Sequence, residues 1–181
     1  FNIRNNSMEV HQKRAEPWSV TLVDTGLNSM TGGRLRRVSE YIKNDDAFCF
    51  TYGDGISDID ITQLIKFHKE HGKDATLAAT YSPARFGALE LQDNQIMQFT
   101  EKPKGDGALI NGGFFVLSPN VLDRITGDDC VWEQEPLKGL SGDGNLMAYK
   151  HEGFWQPMDT LRDMNYLQGL WDSGEAPWKS W

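Results

Sequence analysis

Apolar and polar positions in this chain form short blocks of two different periods, one typical of strands and one typical of helices. Apolar alternation, or continuous β-branched and aromatic runs, predicts strands at 18–24, 47–52, 75–80, 110–117 and 146–150. Two further runs, 87–92 and 96–100, flank the turn-forming pair Asp93-Asn94 and predict a hairpin.

Between these strands, apolar residues recur every three or four positions, which is the spacing of one helix face. The recurrence predicts helices around 35–42, 60–71, 119–125, 133–140 and 160–171, and Gly72 is a suitable stop for the second. Because strands and helices alternate, we predict an α/β protein with a mainly parallel sheet, made mixed by the hairpin. We expect a single domain over residues 1–181.

Composition narrows the classes of function. The formal net charge is −8, which argues against a general nucleic-acid binder because phosphates require a basic face. No run approaches the roughly 18 apolar residues of a membrane helix, and no signal peptide is recognisable. The only cysteines are Cys49, expected in the core, and Cys130, and such a pair fits a reducing compartment. We therefore expect a cytoplasmic protein.

The first candidate for chemistry is Asp54, which follows the apolar run 48–52 and lies between Gly53 and Gly55. Ligands of open α/β sheets bind beyond the carboxyl ends of strands, where this aspartate is expected. The glycines would let backbone approach a ligand and adopt dihedrals that other residues avoid. A carboxylate there suits a hard cation such as magnesium. The alternative is an ordinary Asp-Gly turn.

A second acid, Asp159, precedes the last predicted helix. Two carboxylates are the usual protein share of a magnesium ion in phosphoryl-transfer sites, so Asp159 could join Asp54 on one ion. The structural alternative is that Asp159 caps the helix N-terminus.

Other residue types suggest phosphate and sugar contacts. Pro103 restricts Lys102 to extended backbone at a strand end, where a lysine could bind a phosphate, although a solvated lysine is the alternative. Glycines 112 and 113 lie inside a predicted strand and indicate close approach of backbone by a ligand, while Asn111 beside them could bind sugar hydroxyls.

The segment from Ser29 to Arg34 leads into a helix and could form an anion or nucleotide edge, or simply a helix cap. His68 and His71 lie three residues apart on a predicted helix and are expected to face solvent rather than bind a metal. The tail, 176–181, is aromatic and is expected to pack either on its own domain or on another subunit.

Several motifs, in this order, resemble sugar-1-phosphate nucleotidyltransferases. They are Tyr52-Gly53-Asp54-Gly55, Phe86-Gly87-Ala88-Leu89-Glu90, Glu101-Lys102-Pro103, Asn111-Gly112-Gly113-Phe114-Phe115-Val116 and Trp155-Gln156-Pro157-Met158-Asp159-Thr160. Residues 23–35, 132–137 and the tryptophan-rich tail are similar to the branch that uses CTP and glucose 1-phosphate. The resemblance covers nearly the whole chain, and it implies a Rossmann-like fold.

The resemblance also implies a magnesium-dependent reaction in which a sugar 1-phosphate oxygen attacks the α-phosphorus of CTP and pyrophosphate leaves. It implies that Asp54 and Asp159 hold Mg²⁺. It places Lys102 on the sugar phosphate and Gly87, Glu101 and Asn111 near the sugar. It places Ser29, Arg34 and Gly53 on the nucleotide side. We expect the chain to associate with copies of itself.

The family's glycine-rich triphosphate loop is not found in this sequence, so we expect a member truncated at its N-terminus, with an exposed sheet edge. Three other functions stay open. The protein could use UTP or dTTP, or it could be a non-catalytic remnant that binds sugar phosphate or a partner subunit. It could also be a glycosyltransferase, because Asp58 and Asp60 have the D-x-D spacing, although acids are also favoured at a helix start.

Overall fold

The computed structural model describes residues 4–5, 18–82, 88–92, 95–100 and 109–180. The helices are α1 (Thr31–Arg37), α2 (Ser39–Ile42), α3 (Ile61–His71), α4 (Glu135–Gly142), α5 (Leu161–Ser173) and a 3₁₀ helix (Pro119–Arg124). The strands are β1 (Phe48–Thr51), β2 (Gly55–Ser57), β3 (Ala75–Tyr81), β4 (Ala88–Gln92), β5 (Gln95–Thr100), β6 (Leu109–Leu117), β7 (Leu146–Lys150) and β8 (Trp155–Pro157).

The main sheet has four strands in the order β1-β6-β3-β7. Strand β6 is antiparallel to both of its neighbours, whereas β3 and β7 are parallel, so β1, β3 and β7 run in one direction. The α/β class and the mixed sheet are therefore confirmed. The cause of the mixing differs from the prediction, because the hairpin β4–β5 forms a separate two-stranded sheet and β6 is the reversed strand.

The strand predicted at 18–24 is wrong. Residues 18–24 form neither helix nor strand, and they pair with no strand in the part of the chain that the structure describes. Trp18, Val20 and Leu22 are 78%, 71% and 92% exposed. Alternation predicts which face of a strand is apolar, but strand formation also requires a neighbouring edge for its backbone hydrogen bonds.

The core lies on both faces of the main sheet, which explains the apolar run in β6. Phe115 and Leu117 point into one cluster with Trp132, while Val116 points into the other cluster with Leu64. A strand covered on both faces carries apolar residues at consecutive positions rather than at alternate ones. At the edge of the sheet, Cys49 is exposed on β1, so the prediction that it lies in the core is wrong.

The ends of the helices follow local rules. Helix α3 begins where Asp60 Oδ1 accepts the Gln63 N–H at 3.0 Å, and it ends at Gly72, whose φ is 63°. Gly72 is thus confirmed as the predicted stop. Helix α5 begins with a capping box between Thr160 and Asp163.

The described part of the C-terminal tail packs on the rest of the chain. The ring of Trp178 lies 5.3 Å from that of Phe154, Ala176 is buried, and the Lys179 ammonium lies 4.6 Å from the centre of the Trp171 ring. The expected packing of the tail on its own domain is confirmed for these residues. No helix in the described ranges combines the length and the apolar composition needed to cross a membrane.

Candidate active site

The short sheet formed by β2 and β8 brings the two candidate magnesium ligands to one place. Gly55 pairs with Pro157 in this antiparallel ladder, and the Met158 N–H donates to the Asp54 carbonyl oxygen at 2.8 Å. Asp159 is the next residue after Met158. The turns that carry Asp54 and Asp159 therefore lie side by side, although the two residues are distant in sequence.

Asp54 lies in an exposed turn directly after the apolar strand β1 and the residue Tyr52. A Cβ added at Gly53 would have no heavy atom within 4 Å, so the space beside this turn is open. Neither Gly53 nor Gly55 is among the glycines with positive φ, so the expectation of unusual dihedrals at these two positions is wrong. Open space at Gly53, rather than a special backbone conformation, distinguishes the turn.

Asp159 does not cap helix α5. The N-cap is Thr160, whose hydroxyl accepts the Asp163 N–H at 3.2 Å, while the Asp163 carboxylate accepts the Thr160 N–H at 3.0 Å. The capping alternative for Asp159 is therefore wrong. The capping box instead fixes the backbone immediately after Asp159.

The two aspartates fit magnesium by the chemistry of their donors. Both side chains are exposed carboxylates on adjacent turns, and magnesium commonly takes one or two carboxylates and completes its shell with water and phosphate oxygens. No cluster of three or more His, Cys, Asp or Glu residues suited to a metal occurs in the described ranges. A site built here from this chain would thus leave most ligand positions to substrate and solvent.

The two glycines of β6 are explained by contacts within the protein. A Cβ on Gly112 would lie 2.8 Å from the Ala78 carbonyl oxygen, at the point where the register between β3 and β6 is irregular. A Cβ on Gly113, whose φ is 76°, would lie 2.7 Å from Cδ2 of Tyr52. The close approach predicted from these glycines is therefore made by β3 and by Tyr52 rather than requiring a ligand.

Asn111 lies at the same irregularity. Its Oδ1 accepts the Gly113 N–H at 2.8 Å, and its Nδ2 is 3.5 Å from the Tyr52 hydroxyl. The Gly113 N–H uses one lone pair of the amide oxygen and the Tyr52 hydroxyl uses one N–H, so the second N–H and the second lone pair remain for a ligand. The side chain is thus oriented by the backbone turn next to it.

A half-buried network around Glu133 was not predicted from the sequence. Its carboxylate accepts hydrogen bonds from the Tyr52 hydroxyl and, at 2.7 Å, from the Thr31 hydroxyl. Burial, followed by the bond to Glu133, raises the pKa of Tyr52 far above its usual range, so its phenol stays a neutral donor. These partners are 81 and 102 positions from Glu133 in sequence, so no local spacing could reveal them.

The predicted nucleotide side is the segment that leads into α1. Arg34 donates to the Thr25 hydroxyl at 2.8 Å and to the Leu27 carbonyl at 3.2 Å, so it holds this segment against the helix. Ser29 is only 7% exposed. The helix-cap alternative for this segment is wrong, because the N-cap is Met30 and no side chain caps the helix.

The other sugar-side predictions, Gly87, Glu101 and Lys102, lie outside the described residues.

The D-x-D acids have structural roles. Asp58 Oδ1 accepts the Phe154 N–H at 2.8 Å and lies 2.9 Å from Nε2 of His151, while Asp60 caps α3. Asp60 therefore has the role expected of an acid at a helix start, whereas Asp58 contacts residues 151 and 154 instead of the helix. They give no support to a glycosyltransferase metal site.

His68 is buried, so the expectation that both helix histidines face solvent is wrong. The Thr76 hydroxyl lies 2.9 Å from Nδ1 of His68 and 2.7 Å from Nε2 of His71. The Lys73 N–H donates to Nδ1 of His71 at 2.9 Å. Burial lowers the pKa of both imidazoles, which favours the neutral forms that such a chain of hydrogen bonds requires.

Comparison with known proteins identifies relatives over most of the chain. The family model described as nucleotidyl transferase matches residues 6–149. A glucose-1-phosphate cytidylyltransferase of Salmonella typhi is 65% identical over 181 residues, which are 100% of this chain and 70% of that protein. A probable glucose-1-phosphate cytidylyltransferase of Bacillus subtilis is 40% identical over 167 residues, covering 92% of this chain and 65% of that protein.

The fold has solved counterparts. A putative glucose-1-phosphate thymidylyltransferase from Bacillus anthracis superposes with a TM-score of 0.58 at 17% sequence identity, covering 80% of this chain and 62% of that chain. At this identity the likeness establishes the fold, which is the predicted one, a mixed sheet with flanking helices.

Proposed function

The chain belongs to the nucleotidyl transferase family, and on that premise we propose that it transfers a cytidylyl group from CTP to glucose 1-phosphate, giving CDP-glucose and pyrophosphate. The choice of CTP and glucose is supported by the name of a relative that is 65% identical over the whole chain. The reaction class is supported by one observation of the geometry, the pairing of β2 with β8 that sets Asp54 beside Asp159.

In this reaction a phosphate oxygen of glucose 1-phosphate forms a bond to the α-phosphorus of CTP while the bond to the pyrophosphate oxygen breaks. Little covalent work falls to the protein, so positioning and charge neutralisation supply most of the acceleration. Asp54 and Asp159 would hold Mg²⁺, which neutralises negative charge on the phosphate oxygens when it is bound.

The remaining roles divide into two sides. On the sugar side we assign the phosphate to Lys102 and the hydroxyls to Gly87, Glu101 and Asn111. The amide of Asn111 is oriented by the Gly113 N–H and retains one N–H for a sugar oxygen, which supports this assignment.

On the nucleotide side we assign Ser29, Arg34 and Gly53. The open space beside Gly53 supports an approach of substrate at this turn. Arg34 holds the segment that contains Ser29 through its bonds to Thr25 and Leu27.

We further propose a cytoplasmic enzyme that associates with copies of itself. Leu161, Met164 and Trp171 lie close to one face of α5 and are 69%, 45% and 43% exposed, which supports a contact surface for another subunit. Sedimentation analysis tests this association, and a monomer at assay concentration would contradict it.

The test of the proposed function is an assay of the purified protein with glucose 1-phosphate and Mg²⁺. CTP, UTP and dTTP are offered separately, and pyrophosphate and sugar nucleotide are measured. We expect CDP-glucose from CTP and little product from the other nucleotides. Production of UDP- or dTDP-glucose would overturn the assignment of the base. Binding of glucose 1-phosphate without turnover would favour the non-catalytic alternative.

A further inference from the structure

Glu133 lies between two hydroxyl groups that come from different parts of the fold. Tyr52, at the end of β1, donates to Oε1, and Thr31, the first residue of α1, donates to Oε2 at 2.7 Å. The Trp132 N–H donates to the Thr31 oxygen at 2.9 Å, so the Thr31 proton is directed towards Glu133. The Glu133 carboxylate thus ties α1 to β1.

A carboxylate suits this position better than an amide. An ionised carboxylate is acceptor-only and has two oxygens, so it can accept from both hydroxyls at once. Glutamine would turn an NH₂ group towards one of them and leave a donor facing a donor. The charge-assisted bonds that a carboxylate forms are also stronger than neutral ones.

The Tyr52 hydroxyl carries this connection on to Asn111, whose Nδ2 is 3.5 Å away. The Tyr52 ring is held in place by Phe50 and Phe115, with ring centroids at 5.8 and 5.7 Å, and it closes against Gly113. Its position is therefore fixed independently of its hydroxyl. Removing the hydroxyl should leave the ring where it is.

We propose that Glu133 is a positioning residue that sets the distance between the two substrate sides, acting through Thr31 on the nucleotide side and through Tyr52 and Asn111 on the sugar side. The proposal rests on the proposed function, since that function assigns Ser29 and Arg34 to the nucleotide and Asn111 to the sugar. Glu133 itself need not touch either substrate.

The test compares the KM values of single variants. Tyr52→Phe should raise KM for glucose 1-phosphate and leave KM for CTP near the wild-type value. Thr31→Val should do the reverse, and Thr31→Ser, which keeps the hydroxyl, should restore it. Glu133→Gln should raise both KM values and lower kcat/KM by about 10–100-fold, as outer-shell partners commonly do.

Tyr41→Phe is the matched control for the tyrosine variant, because Tyr41 is 61% exposed and lies on α2. Melting temperatures are measured for all variants. A structural role alone would lower the melting temperature and change both KM values together in each variant, and that result would overturn the proposal.

The failure of this proposal differs from the failure of the proposed function. Wild-type protein that makes no CDP-glucose contradicts the function, and calorimetric titration with glucose 1-phosphate and with CTP then decides the positioning role. Selective weakening of one ligand by Tyr52→Phe and of the other by Thr31→Val supports it. Equal weakening, or no binding by the wild type, overturns it.

Discussion

At the scale of single residues, the proposed chemistry depends on two aspartates whose turns are neighbours because β2 pairs with β8. The strand and glycines around Asp54 predicted a ligand there, whereas Asp159 was assigned to the ion through the family resemblance, because its place before a helix by itself favours capping. The network around Glu133 could not be predicted, because its hydroxyl partners are joined to it only by the tertiary fold. Local spacing can suggest single candidate ligands, but it cannot show which residues form hydrogen bonds across the fold.

Replacing Asp54 by asparagine should remove one of the two carboxylates proposed for magnesium while keeping the shape of the turn. We expect loss of CDP-glucose formation by about 100-fold or more, since a single electrostatic group at a reacting centre commonly contributes that much. The melting temperature should be unchanged because the side chain is exposed.

The matched control is Asp46→Asn, an exposed aspartate that precedes β1 whereas Asp54 follows it. Its turnover should equal that of the wild type. Normal turnover in Asp54→Asn would exclude Asp54 from the magnesium site.

At the scale of elements, the predictions succeeded where an apolar period extends over many consecutive residues. Helix α3 and strand β6 were predicted within a residue or two, from their apolar periods and the stop at Gly72. Strands β2 and β8 were not predicted because each has only three residues and is defined by its partner. The segment 18–24 shows the converse, a strand-like pattern without a paired edge in the described structure.

Helix α1 supplies a test of packing between elements. A Cβ at Gly33 would lie 2.7 Å from the Cα of Asp128. The helix therefore packs so closely on the 127–130 loop that only a residue without a side chain fits at this position. Gly33→Ala should destabilise the protein by about 1–3 kcal/mol, the usual cost of overpacking, as measured by urea unfolding.

The same substitution at Gly169 is the control. This glycine is exposed in α5 and a Cβ there meets nothing within 4 Å, so alanine should stabilise by up to about 1 kcal/mol. If both substitutions gave the same change in unfolding free energy, the close contact at Gly33 would not be a constraint.

Helix α5 depends on its first turn. Thr160→Ala removes the hydroxyl of the capping box and should cost about 1 kcal/mol of unfolding free energy. Because this box fixes the backbone next to Asp159, the concentration of Mg²⁺ needed for half-maximal activity should also rise. A loss of stability with an unchanged magnesium requirement would separate the cap from the metal site.

At the scale of the whole molecule, the direction of β6 could not be predicted from sequence. Its apolar run indicates a strand buried on both faces, which is correct, but local patterns carry no information on which way a central strand runs. The chain reaches β6 through the hairpin β4–β5, and that connection returns it antiparallel to β3.

Global stability should depend on pH through His68 and His71. The pKa values of His68 and His71 are lowered in the folded protein, whereas unfolded histidine titrates near pH 6.5. As the pH falls below about 6.5, the two imidazoles bind protons in the unfolded chain but not yet in the folded chain. The free energy of unfolding therefore decreases. The urea concentration at the unfolding midpoint should therefore decrease as the pH is lowered from about 7.5 to about 5.5.

The control for this prediction is the double variant His68→Gln, His71→Gln, whose midpoint should vary less over the same range. The lowered pKa of Asp128 acts only below the ordinary range of that carboxyl, so it does not contribute in this window. An equally steep pH dependence in the double variant would assign the effect to other groups.

The division of the site between β2 and β8 has a consequence for the order of biosynthesis. Asp54 leaves the ribosome long before Asp159, which comes after β8. A nascent chain can pair β1, β3 and β6 while it still lacks β8, the strand that pairs with β2 and precedes Asp159. In the proposed site, the two carboxylates are therefore available together only after β1, β3, β6 and β7 have been synthesised.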